Sequence, residues 1–129
     1  MVRLEGAKFT KIGSLDTNRS GATIIGTMVD QRELTRRDEP FFGGPFLSMR
    51  EYYLYQIDEV LQSIKAGQTF REDPVMGYLI HLELRNLVRK TEALDDSETD
   101  FFLQHPDSHI GNTLLSEDGD ISGLLDWEW

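Results

Sequence analysis

Between residues 48 and 67, in SMREYYLYQIDEVLQSIKAG, apolar side chains return every three or four positions: Tyr53, Ile57, Val60, Leu61 and Ile64. That is the helical period, and it places them on one face. Ser48 followed by Glu51 forms a capping box at the start, and Gly67 is suited to end the helix. A second helical pattern starts near Asp73-Pro74 and runs to about Ala93, with Met76, Leu79, Ile80, Leu84, Leu87 and Val88 as its apolar stripe. The tyrosines and methionine of these stripes read as core packing.

The period changes on either side of the helices. KFTKIGSL (8–15) and ATIIGTMVD (22–30) are short and rich in β-branched or apolar residues, with DTNRSG between them; they predict a hairpin. Residues 31–47 are irregular, and the aromatic FFGGPF predicts a loop pinned onto something apolar. DDSETD is a polar linker after the second helix. FFLQ (101–104) predicts a short strand, and TLLSEDGDISGLL (113–125) a hairpin turning at Ser-Glu-Asp-Gly-Asp. Helices followed by further strands make the class α+β.

Composition narrows the function classes. The net charge of −10 argues against binding a nucleic-acid backbone. No apolar run approaches the roughly 20 residues of a membrane span, and the N-terminus lacks the apolar segment of a signal peptide. The absence of cysteine excludes disulfides and thiolate metal sites and fits a reducing, cytoplasmic setting. Charge is also unevenly spread. No Lys or Arg follows Lys90, while residues 92–129 hold eleven Asp or Glu. Most of these belong to a solvated surface, but a converging subset would need a cation. A phosphate substrate near them would need a bridging metal or basic groups from elsewhere.

The chemistry concentrates in HPDSHIGN, residues 105–112, on a loop between two strand patterns. Three readings compete. His105, Asp107 and His109 alternate as in a non-haem iron site, but no later histidine completes the ligand set and Pro106 disfavours a central strand. DGDISGLLDWEW (118–129) partly fits a calcium loop, but Trp129 stands where a bidentate Glu is required. The third reading takes in more residues. His105-x-Asp107-x-x-x-x-Asn112 has the spacing of a kinase catalytic loop, in which the Asp accepts the substrate hydroxyl proton and the Asn holds a metal. A hairpin follows, and then Asp126 opens DWEW, where a second oxygen ligand for the metal belongs.

FFLQHPDSHIGNTLLSEDGDISGLLDWEW resembles the aminoglycoside phosphotransferase family, also called choline-kinase-like. That family's signature is approximately His-Gly-Asp-Leu-His-Pro-Gly-Asn-Ile-Leu, a hairpin, then Ile-Asp-Trp-Glu. The match is strong over the last 29 residues. FTKIGSL and GPFLSMREYYLYQI resemble fungal members more weakly. The resemblance implies a protein-kinase-like fold and transfer of the ATP γ-phosphate to a small-molecule hydroxyl with Mg²⁺. It implies Asp107 as catalytic base and Asn112 and Asp126 as magnesium ligands. His105 would brace the loop, Glu128 would aid a second metal or form a salt bridge, and Trp127 would be core. His109 matches a family position whose role the resemblance leaves open. Pro106, Ser108 and Ile110 depart from the family's commoner residues without removing a ligand.

The 129 residues contain no glycine-rich phosphate loop and no matching lysine on a small-lobe strand, and GSL…GATIIG does not fit Gly-x-Gly-x-x-Gly. In similar fungal sequences that hairpin is an insertion beyond the nucleotide hinge. The expectation is therefore residues 1–129 as one incomplete large lobe, with catalytic loop and metal hairpin at 101–129. By itself such a chain would transfer little or no phosphate, and weak or absent Mg²⁺–ATP binding is expected of it. The contrasting expectations are a catalytically dead kinase-like module that binds a partner, a truncated gene product, and a plain α+β domain whose acidic loop is only surface.

Overall fold

The structure is a computed structural model that describes residues 6–29, 42–94, 100–105 and 109–126. It is α+β and divides into two compact units, Thr10–Thr99 and Met1–Phe9 with Asp100–Trp129. No described helix is long and apolar enough to cross a membrane.

The first unit holds a hairpin and two helices. Strands β2 (Leu15–Thr17) and β3 (Thr23–Ile25) pair antiparallel, with Asp16 opposite Ile24. The expected hairpin forms, but its first strand runs into the stretch read as turn. Asn18 explains the shift. Its Oδ1 accepts from the Ser20 and Ala22 amides at 3.0 Å each and from the Ser20 hydroxyl at 2.7 Å, so the chain reverses over 18–22. Gly21, at φ +79, takes the left-handed position of that turn. Lys8–Phe9, expected in this hairpin, instead form β1 of the other unit.

Helix α1 (Met49–Lys65) starts as its capping residues require. Ser48 Oγ accepts from the Glu51 amide at 3.1 Å, and the Glu51 carboxylate accepts from the Leu47 amide at 2.7 Å. Gly67, at φ +68, ends it by donating to the Ile64 carbonyl. Phe46 is the pinned aromatic of the preceding loop. It is buried, bridges to Ile12, and meets the rings of Tyr52 and Tyr55 at 5.6 and 5.1 Å. Tyr53, expected in the core stripe, is exposed; Tyr52 and Tyr55 do the packing beside it. Among the described residues the buried apolar core is small: Phe46, Leu61 and Ile64.

Helix α2 (Pro74–Lys90) is capped by Asp73, whose Oδ1 accepts from the Met76 amide at 2.9 Å. It stops short of the expected Ala93. Thr91 turns extended there, and a 3₁₀ turn follows at Glu92–Leu94. Its apolar stripe is corrected more substantially. Met76, Leu79, Ile80, Leu84 and Leu87 are all exposed, Leu87 at 61%. Gly77, His81 and Arg85 lie on a different side of the helix, at fourfold spacing, and carry its contacts. Phe70 packs directly over Gly77, where a Cβ would come within 2.6 Å of its ring, and the Phe70 and His81 rings meet edge to face. Arg85 Nε pairs with Asp58 of α1 at 2.7 Å. Arg50 of α1 donates to the carbonyls of Val88 at 2.9 Å, Thr91 at 2.8 Å and Arg89. Polar clamps therefore join the helices, and of the expected apolar stripe only Val88 is half-buried. Lys65 over the Tyr78 ring adds a cation–π contact at 5.6 Å.

The second unit is built from two antiparallel pairs. Strand β1 (Lys8–Phe9) pairs with β4 (Phe101–Phe102), and Lys8 Nζ meets Asp100 Oδ2 at 2.5 Å. The strand predicted over 101–104 thus covers its first two residues. Strands β5 (Thr113–Leu115) and β6 (Ile121–Leu124) form the predicted last hairpin. Its turn is closed by Ser116, which bonds the Asp120 carbonyl through its amide at 2.8 Å and the Asp120 amide through Oγ at 3.1 Å. Gly119 occupies the left-handed position. The acidic turn is therefore closed by its own backbone, as an ordinary hairpin turn is.

Candidate functional site

The candidate site begins where β4 gives way to the polar loop. His105 is buried, and its Nε2–H donates to the Leu125 carbonyl at 2.7 Å. After it come Pro106, Asp107 and Ser108, which lie outside the described residues. The chain is described again from His109, which opens a single 3₁₀ turn, Ile110–Asn112. His109 Nδ1 accepts from the Gly111 amide at 2.9 Å. The His109 carbonyl accepts from the Asn112 amide at 3.0 Å and from Thr113 Oγ1 at 3.4 Å. This turn delivers Asn112 directly into β5.

Across the hairpin, the Leu125 amide donates to the Asn112 carbonyl at 2.8 Å. Leu125 is therefore held from both sides, its N–H by Asn112 and its C=O by His105. Asp126 follows at once with φ +58, a left-handed conformation uncommon outside glycine, asparagine and aspartate. The Asp126 residue is exposed to solvent. The main chain thus brings Asn112 and Asp126 to one end of the β5–β6 hairpin, and His105 is tied to the same point.

Of the residues singled out by sequence, four fall in this construction: His105, His109, Asn112 and Asp126. Asp107 and Glu128 lie outside the described residues, as does Trp127. The donor atoms that Asn112 and Asp126 offer are oxygens, an amide and a carboxylate, which suit a hard divalent cation such as Mg²⁺. Among the described residues no group of three or more His, Asp or Glu side chains gathers as a metal cage.

Two contributors were not singled out by sequence. One is Leu125, which acts through its backbone and so leaves no side-chain signature. The other is Gly111. A Cβ there would lie 2.7 Å from His109 Cε1 and 2.9 Å from Nδ1, so the imidazole can fold over this position only because it is glycine. The signal was present as a glycine two residues after a histidine.

No family model, curated protein or solved structure matches this chain.

Proposed function

We propose that this chain carries the catalytic loop and metal hairpin of a kinase-like phosphotransferase, one that resembles the aminoglycoside phosphotransferase family and moves the ATP γ-phosphate to a small-molecule hydroxyl. The single observation that supports it best is the double hold on Leu125. A bond from His105 and a bond to Asn112 tie the loop to the hairpin just before Asp126. His105 contributes its side chain to this hold and Asn112 its main-chain carbonyl.

In this reading Asn112 and Asp126 hold the cation, and Asp107 accepts the proton of the attacking hydroxyl. When bound, Mg²⁺ supplies the positive charge that offsets the nucleotide phosphates. The segment has no charge of its own to do so, since no Lys or Arg follows Lys90. His105 has a mechanical part: buried and donating to a carbonyl, it fixes the distance between the loop and Asp126. The remaining phosphate contacts, which a glycine-rich loop and a lysine supply in kinases, have no counterpart in the 129 residues. Consequently the isolated chain is expected to bind Mg²⁺–ATP weakly and to turn over little or none.

The test is Mn²⁺ as a paramagnetic probe, with ATP, read by NMR on the isolated chain. Selective broadening of Asn112 and Asp126, abolished by Asp126→Ala, is the expected result. Uniform broadening, or none at excess Mn²⁺, sinks the reading. An ATP-consumption assay with Asp107→Ala as control checks the expected inactivity.

A second reading, a kinase-like module that only binds a partner, is favoured by one observation: the exposed apolar stripe of α2. Calorimetric titration with Mg²⁺ and ATP separates the two: a weak heat lost in Asp126→Ala belongs to the phosphotransfer reading, and no heat to the partner-binding module.

A further inference from the structure

The His109 imidazole does more than occupy the polar loop. Its Nδ1 accepts the Gly111 amide, and its carbonyl accepts the next amide, that of Asn112. Its ring lies so close over Gly111 that no side chain fits there. These are the contacts of a helix cap, made by histidine in place of the usual Ser, Asp or Asn.

We infer that His109 is a positioning residue: it sets the one-turn 3₁₀ segment that aims Asn112, and it does so as the tautomer whose Nδ1 carries no proton. The chain of bonds is continuous. His109 fixes Gly111 and Asn112, and the Asn112 carbonyl receives Leu125, the residue before Asp126. Nδ1 must stay unprotonated to accept, so the neutral ring carries its proton on Nε2. The opposite tautomer would face the Gly111 N–H with a second N–H. A second consequence follows for Gly111. Its replacement by alanine should displace the ring and undo the turn even though His109 is still present.

The consequence for catalysis rests on the phosphotransfer reading, since Asn112 matters there as a metal ligand. The positioning role itself is tested without any metal. In the ¹⁵N-labelled chain at neutral pH, long-range imidazole correlations should report an unprotonated Nδ1 and a protonated Nε2 for His109. Amide exchange at Gly111 should speed up by roughly five- to tenfold in His109→Ala, the loss expected of one hydrogen bond. Gly111→Ala should shift the Asn112 amide signal in the same way as His109→Ala. His109→Asn should restore it, because the asparagine Oδ1 offers an acceptor close to where Nδ1 stood.

A protonated Nδ1 in the wild-type chain overturns the inference, and that measurement requires no variant to fold. So does an Asn112 signal unmoved by His109→Ala, or no recovery in His109→Asn. The Mn²⁺ experiment fails separately. Correct tautomer and rescue without selective broadening would uphold the positioning role and count against the phosphotransfer reading.

Discussion

His105 Nε2 and the Leu125 carbonyl oxygen lie 2.7 Å apart, joining the start of the polar loop to the end of the last hairpin across twenty residues of chain. The bond is made by a buried ring, so its loss would remove both a donor and packed volume. His105→Ala should therefore destabilise the second unit by about 1–3 kcal/mol. Amide exchange should quicken across Thr113–Leu115 and Ile121–Leu124 while the helices stay protected. Unchanged exchange in the hairpin would refute this.

Arg50 holds the far end of α2 through the carbonyls of Val88, Arg89 and Thr91. These are the groups a helix end leaves without intrahelical partners. Arg50→Ala should fray the last turn of α2 and cost about 1.5–3 kcal/mol, as expected for bonds to a charged donor. Arg50→Lys should recover little, because a single ammonium cannot reach three carbonyls in the planar geometry of guanidinium. Urea denaturation of the two variants checks both statements.

Leucines of the two helices should respond very differently to truncation. Leu61 is 5% exposed and Leu87 is 61% exposed. Leu61→Ala should cost about 2–5 kcal/mol, whereas Leu87→Ala should stay within about 0.5 kcal/mol. Equal costs would mean that the α2 stripe is covered in solution.

Gly77 faces the Phe70 ring at a distance no Cβ tolerates, and Phe70 is itself held at φ +52. Gly77→Ala should gain helix propensity yet lose more through the clash, with a net cost of about 1–3 kcal/mol. The sign is the test. A stabilised variant in thermal unfolding would place Phe70 elsewhere.

Ser48→Ala should remove the cap of α1 for about 1 kcal/mol, and Ser48→Asp should keep it. Far-UV circular dichroism during urea titration reads the difference.

What was legible in the sequence was local. Ser48 with Glu51, Asp73 before Pro74, and Gly67 mark helix ends through contacts made within a few residues, so the pattern alone places them. The last hairpin was legible for the same reason, since Ser116 and Gly119 close it on itself. The β2 strand was misplaced because Asn18 gathers three donors and moves the reversal two residues along. The α2 stripe was misjudged for a different reason. Periodicity reveals which side chains share a face but not what that face meets. Here a glycine, a histidine and two arginines make the contacts, and only the folded chain reveals that. In the candidate site, the spacing of His105, Asn112 and Asp126 was visible, while the two bonds on Leu125 are main-chain events between distant segments.

A helix pair clasped by guanidinium groups, with its oily side turned to water, answers to dissolved salts in two opposed ways. Sodium chloride shields the Arg85–Asp58 attraction and loosens the clasp. Sulfate, excluded from apolar surface, drives the bare leucines and isoleucine of α2 to adhere to whatever else is oily nearby. The chain should accordingly be best behaved in dilute, weakly ionic buffer, and the first sign of crowding it with sulfate should be clumping rather than unfolding.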